Sequence, residues 1–320
     1  MRVFSLVLTV LLAAVVAAPT ASAAELREVT GFGTNPGALR MFEYVPDGLP
    51  EGRPVVVALH GCTQDAAGYG TGAGWVELAD RAQFTLVLPQ QEQANNANRC
   101  FNWFQSGDTA RGSGEAESIA QMVQRAIGDT GADPARVHVT GLSAGGAMTA
   151  VMLAAYPDVF AGGGVVAGVP HGCASTMPDA FTCMNPGKDR TPQQWGDAVR
   201  GASSHQGPWP TLSIWHGTAD YTVAPANQRE LVEQWTNVHG IPATPTSTDT
   251  IAGYPHESYA DSSGRTLVET VSVTGMGHGQ PIDPGTADGQ CGQAGPYLLD
   301  VDVCASWHLS RSWGLLAGVG

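Results

Sequence analysis

Lysine is almost absent: Lys188 is the only one in 320 residues. Arginine brings the basic total to 15 against 29 acidic residues, for a formal net charge of −14. Basic patches interleaved with aromatics are missing, which excludes the electrostatic footprint of a nucleic-acid partner. None of the six cysteines forms a CxxC pair, so their spacings fit no zinc site. Beyond the N-terminal leader no apolar run is long enough to cross a bilayer. Repeats, low-complexity linkers and composition breaks are lacking too, so nothing marks a repeat array or a second domain. The length then suits one large domain with a substantial core.

What is present begins with "MRVFSLVLTVLLAAVVAAPTASAAE". A positive charge at Arg2, an apolar run and Ala21-Ser22-Ala23 are the three regions of a secretory signal peptide. Residues 1–23 are therefore expected to be removed, leaving 24–320 as a single soluble, extracellular domain with no appended binding module. That destination suits the six cysteines, because disulfides persist outside the cytosol. Chain proximity points to Cys173 with Cys183 and Cys291 with Cys304, which leaves Cys62 with Cys100. Other pairings stay open, since sequence alone does not choose among them.

"LREVTGFG" and "ALRMFEYVP" alternate like strands. "RPVVVALHG", "FTLVLPQQ", "ARVHVTG", "AGGGVVAGVP", "PTLSIWHG" and "TLVETVSVTG" read as further strands, and the β-branched runs among them suit burial on both faces. Helical patterns fall at "GAGWVELADRAQ", "GEAESIAQMVQRAIGDTG", "SAGGAMTAVMLAAYP", "PANQRELVEQWTNVHG" and "CASWHLSRSWGLL". The second of these has acidic residues in its first turn and Gly131 just past its end. The Cys-, Pro- and Gly-rich stretch from His171 to about Gln193 is expected to be a surface loop. Strands alternating with helices predict an α/β fold with a mostly parallel central sheet and helices on both faces.

The chemistry is concentrated at Gly141-Leu142-Ser143-Ala144-Gly145. This G-x-S-x-G follows a β-rich strand and opens a small-residue helix, the context in which a serine becomes a nucleophile on a sharp turn. A serine hydroxyl needs a base to take its proton, and acid then base follow such a serine in chain order. Asp220, just after the "PTLSIWHG" strand, is the expected acid, and His278, in the glycine-rich loop "GMGHGQ", the expected base. Asp283 is the competing acid. Among the other histidines, His216 and His138 are expected to be structural, and His256 to lie in a hairpin near the site's mouth. Two donors must face the oxygen that gains charge. The Ala144 N–H is one, and the Cys62 N–H in "HGCTQD" the other, with Thr63 as its alternative. Trp103 and Phe104 are candidates for the cleft wall. "IDPGTADGQCG" lacks the acidic spacing of an EF-hand, and no metal or other cofactor is expected.

Taken in order, "LHGCTQD", "CFNWF", "RGSGEAESIAQMV", "GLSAGGAM", "HGTADYTV" and "GMGHGQPIDPG" resemble the secreted polyhydroxybutyrate depolymerase family of esterases, which overlaps carbohydrate esterase family 1 with its feruloyl and acetylxylan esterases. The resemblance covers nearly all of the expected mature chain. It implies an α/β-hydrolase fold, a Ser143–Asp220–His278 triad, an oxyanion loop at His60-Gly61-Cys62 and substrate contacts at His60 and Trp103. Many members also carry a linker and a substrate-binding domain, and neither is visible here. The expected activity is hydrolysis of carboxylic esters by a monomer, through an acyl-enzyme, on short-chain hydroxyalkanoate polyester or its oligomers. Feruloyl or acetyl esters of xylan are the alternative substrates. Two readings of other classes are an acyltransferase on the same scaffold and a non-catalytic polymer- or glycan-binding protein.

Overall fold

The computed structural model describes residues 25–316. The expected signal peptide lies outside the described residues. From the N-terminus the strands are β1 (Arg27–Val29), β2 (Arg40–Tyr44), β3 (Val55–Leu59), β4 (Thr85–Gln90), β5 (Val137–Leu142) and β6 (Gly162–Val166). They continue with β7 (Thr211–Gly217), β8 (Ser247–Ile251), β9 (Tyr254–Ala260), β10 (Thr266–Val273), β11 (Gln280–Ile282) and β12 (Leu298–Asp300). The helices are α1 (Ala66–Gly72), α2 (Trp75–Ala82), α3 (Ser106–Thr109), α4 (Gly114–Thr130) and α5 (Ala144–Ala155). After them come α6 (Met177–Met184), α7 (Pro192–Arg200), α8 (Ala226–His239) and α9 (Ala305–Ser312).

Ten strands form one sheet in the order β1-β2-β4-β3-β5-β6-β7-β10-β9-β8. Its centre, from β4 to β10, is parallel, and antiparallel strands finish both edges. The expected α/β architecture is thus present, and the reason is visible in β3. Val55, Val57 and Leu59 pack into a core shared with α4, α5, α7 and α8. Val56 and Ala58 point the other way, toward α1, α2 and α9. A strand covered on both faces has no polar side to show, which is why "VVVAL" reads as a continuous apolar run.

The chain leaves β3 for β4 on one side and returns to β5 on the other. The strand order therefore reverses beside β3, and such a switch point opens a crevice at the carboxyl ends of the strands. The loop after Leu59 and the serine after Leu142 both emerge there. The two strands' ends are held together by the glycines of the G-x-S-x-G stretch. A Cβ on Gly145 would lie 2.1 Å from the Leu59 carbonyl oxygen, and one on Gly141 would lie 2.4 Å from the Gly145 carbonyl carbon.

Two expectations need correction. The stretch from His171 to Gln193 is not a surface loop: it contains α6 and leads into α7, with Cys173 and Cys183 buried. The Thr176 side chain accepts from the Asp179 N–H, and Thr191 forms a capping box with Gln194 around Pro192. The hairpin carrying His256 exists as β8–β9, but it is the outermost pair of the sheet and not the rim of the crevice. Its His256 is held between Asp249 at 2.6 Å and Glu269 at 3.2 Å.

The crowding at Gly145 predicts that Gly145→Ala costs roughly 3 kcal/mol or more, since backbone cannot step aside as a flexible side chain can. Equilibrium unfolding in urea measures it, and a variant of unchanged midpoint would contradict the packing described.

Candidate active site

Ser143 is the hinge between β5 and α5. Its backbone sits at φ 58° and ψ −116°, a region that residues other than glycine rarely adopt. The strain is held by neighbours: the Ser143 N–H donates to the Val166 carbonyl at 2.9 Å, and its own carbonyl accepts from the Ala147 N–H at 2.8 Å. All residues of α5 are buried, so the helix cannot shift to relax the turn. The Ser143 side chain is left partly exposed, at the positive end of that helix.

The other two groups arrive on loops laced to each other. Thr218 N–H donates to Val273 O at 3.0 Å, Ala219 N–H to Met276 O at 3.0 Å, and Gly275 N–H to Thr218 Oγ1 at 2.8 Å. Gly217 allows this approach, because a Cβ there would lie 2.3 Å from the Met276 carbonyl oxygen. The result is an in-line array. His278 Nε2 lies 2.8 Å from Ser143 Oγ, and His278 Nδ1 lies 2.7 Å from Asp220 Oδ2. Residues separated by 135 and 58 positions in the chain meet within hydrogen-bonding distance.

Asp220 is buried at 2 % exposure, and its Oδ1 accepts the Thr222 and Val223 N–H groups at 2.9 Å each. Burial pushes its carboxyl upward, but the His278 hydrogen bond and charge and the two backbone donors outweigh burial and hold it below the usual range. It is therefore a carboxylate at neutral pH, which fixes the proton of the neutral imidazole on Nδ1 and leaves Nε2 free to accept from the serine. His216 is structural: buried, 3.5 Å from Asp220 Oδ2, and donating from Nε2 to the Val223 carbonyl at 2.8 Å. Burial keeps its pKa low and the ring neutral. His138 is stacked on Trp313 at 4.8 Å in the core. Asp283, the competing acid, bridges to Cys291 through its backbone and accepts from Gln290 Nε2, away from the imidazole.

Cys62, Ser143 and Ala144 line one cleft of about 370 Å³. The Thr63 N–H is taken by the Asn98 carbonyl at 2.7 Å, so the alternative donor is occupied. The Cys62 and Ala144 N–H groups have no such partner among the described residues. Trp103 and Phe104 pack edge to face at 5.4 Å and form one wall, each mostly buried. A further wall is α6, through Met177, Phe181 and Met184, and the lining also includes Asn96 and Asn98. That α6 wall was missed in the sequence, although its Thr176 cap and Pro178 are helix-start signals. Lys188, the single lysine, braces it with an ion pair to Asp179 and a bond to the Cys173 carbonyl at 2.8 Å.

His60 is a correction. Expected at the substrate, it is fully buried and outside the cleft. Its Nδ1 donates to the Gly61 carbonyl at 2.7 Å and its Nε2 accepts the Gln91 N–H at 3.1 Å. Burial lowers its pKa to about 4, so it is a neutral brace behind the loop. The structure pairs Cys62 with Cys100, Cys173 with Cys183 and Cys291 with Cys304, and the first of these ties the Cys62 loop to the segment leading into Trp103.

A parallel sheet with a hydroxyl, an imidazole and a carboxylate in line at its switch point defines an α/β-hydrolase. Within that class, residues 39–253 match the family described as Esterase PHB depolymerase, and the chain belongs to that family. It is 55% identical over 303 residues to poly(3-hydroxyalkanoate) depolymerase C of Paucimonas lemoignei, covering 94% of this chain and 73% of the relative. It is 39% identical over 273 residues to an acetylxylan esterase of Coprinopsis cinerea, covering 82% and 71%. Among solved structures it is similar to an acetyl xylan esterase from Aspergillus awamori, with TM-score 0.73, 32% identity and coverage of 79% and 94%. The chain is a carboxylic ester hydrolase.

The strain at Ser143 generates a stability prediction independent of any catalytic role. Ser143→Gly should be more stable than Ser143→Ala by about 1 kcal/mol, because relief of the left-handed φ exceeds the entropy glycine adds to the unfolded chain. Paired urea melts read the difference, and a less stable glycine variant would contradict the backbone geometry.

Proposed function

We propose that this is an exported serine esterase, with Ser143 as nucleophile, His278 as base and Asp220 as the acid that orients it. Its preferred substrate is short-chain hydroxyalkanoate polyester or its oligomers. The single observation that carries the mechanism is the array of 2.8 Å and 2.7 Å contacts at the floor of an apolar cleft. Ser143 Oγ attacks the ester carbonyl while its proton passes to His278 Nε2. The carbonyl oxygen gains charge facing the Ala144 and Cys62 N–H groups, and the imidazolium is stabilised by the Asp220 carboxylate. His278 then gives its proton to the leaving alcohol, and a water activated the same way releases the acid.

The polyester preference is supported by likeness to the depolymerase and by the rim. The large apolar side chains most exposed on the described protein are Met177, Phe181, Tyr221 and Tyr297. Met177 and Phe181 line the cleft, Tyr297 packs edge to face with His278, and Tyr221 follows Asp220. Water-exposed apolar groups gathered at one mouth suit a substrate that presents an apolar surface. Acetyl or feruloyl esters of xylan are the second reading, favoured by Asn98 in the cleft lining, whose side-chain amide can hydrogen-bond sugar hydroxyls, whereas that of Asn96 is committed to Asn102 and to the Asn98 and Cys100 N–H groups. Export is supported by the three disulfides.

Ser143→Ala should abolish ester release and the uptake of a serine-directed phosphonate, while Asp220→Asn should lower kcat by about 10³ to 10⁴. Side-by-side release from hydroxybutyrate polymer, acetylated xylan and feruloylated xylan ranks the substrates. Turnover of the polymer below both xylans would reverse the preference, and normal turnover by Ser143→Ala would overturn the mechanism.

A further inference from the structure

The "RGSGEAESIAQMV" stretch holds a buried acid that the reaction does not use. Glu115, in the first turn of α4, is 1% exposed. Its Oε2 accepts the Asn102 N–H at 2.8 Å, and its Oε1 accepts Asn102 Nδ2 at 2.8 Å and Gln91 Nε2. Its own N–H donates to Asp108 Oδ1 at 3.2 Å. Among the described residues no cation pairs with the carboxylate, and the nearest charge acting on it is that of Asp108, which is of the same sign. Three donors converge on two oxygens, an arrangement that only an acceptor at both positions satisfies.

The donors are placed where they matter. Asn102 precedes Trp103, a wall of the cleft. Gln91 donates its backbone N–H to His60 Nε2, and His60 Nδ1 donates to the Gly61 carbonyl, one residue before Cys62. Gln91 Nε2 also donates to the Cys100 carbonyl at 3.0 Å, and Cys100 is bonded to Cys62. Both routes from Glu115 therefore end at the Cys62 loop. We propose that Glu115 is a positioning residue that clamps the Trp103 wall to the oxyanion loop and so sets the place of the Cys62 N–H relative to Ser143. The proposal rests on the serine mechanism above.

A stabilising role alone does not account for an unpaired buried acid. Burial pushes Glu115 up to about 8 from an ordinary 4.5, so between those values the folded chain holds a proton that the unfolded chain has released. Stability contributed by the neutral form is complete below about 4.5 and is lost as pH rises through about 8. At alkaline pH the carboxylate costs stability while serving the three donors.

The test is Glu115→Gln in the full chain, assayed on a soluble nitrophenyl ester at pH 8, with active serine counted by phosphonate labelling. The glutamine keeps size but turns one acceptor into a donor facing donors. The expected result is labelling to full stoichiometry, kcat per labelled serine lowered about tenfold or more, KM within about twofold, and a smaller loss of Tm between pH 5 and pH 8 than in the parent. Asn102→Ala, which removes one donor and leaves the backbone one, should show the same split with a smaller loss. Unchanged kcat per labelled serine in both variants overturns the proposal. So does a loss of activity that only follows a lower Tm. Should Glu115→Gln fail to fold, Asn102→Ala decides alone by the same criteria. A parent enzyme that takes up no label refutes the serine mechanism itself, which separates the two failures.

Discussion

The approach of Gly145 to the Leu59 carbonyl is the contact on which the rest of this molecule depends. With a hypothetical Cβ only 2.1 Å from that oxygen, there is room for nothing larger than hydrogen. The contact seats α5 directly against the end of β3, which forces the turn at Ser143 and sets it beside the loop that begins at His60. Because β3 and β5 are neighbours at the sheet's switch point, one tight contact brings together two segments about 80 residues apart. Everything chemical then has to be delivered to that place by loops from further along the sheet.

Those loops are held by hydrogen bonds from buried polar groups on both sides of the crevice. His216 and two backbone N–H groups hold the Asp220 loop, and His60, Gln91 and Glu115 hold the opposite side. Burial keeps His60 and His216 neutral, which matters because a charged ring in either place would repel or misdirect its neighbour. An apolar filling of the same volume would pack as well. It would not fix the direction of an N–H, and direction is what a site for developing charge requires.

Much of this was legible in the chain. The buried strands announced themselves as β-branched runs, and the order serine, acid, histidine pointed to the three residues that meet. Two kinds of information were not local. His60 follows a strand and precedes glycine, which resembles a loop residue at a cleft, yet it turns inward because Gln91 on a neighbouring segment offers a donor. The α6 region is rich in cysteine, proline and glycine, and these masked helices whose caps were nonetheless written in Thr176 and Thr191. The β8–β9 hairpin was legible in "GYPHESY", but its place at the outer edge of the sheet was not, because strand order is set by pairing with β10 rather than by local sequence.

The scarcity of lysine has a practical side. Amine-directed reagents have a single side-chain target among the described residues, and that ammonium is the brace between α6 and the Cys173 turn. Coupling the protein to a resin or dye through Lys188 would pull on the wall of the cleft that Ser143 lines, whereas its many surface carboxylates offer attachment that leaves the wall alone.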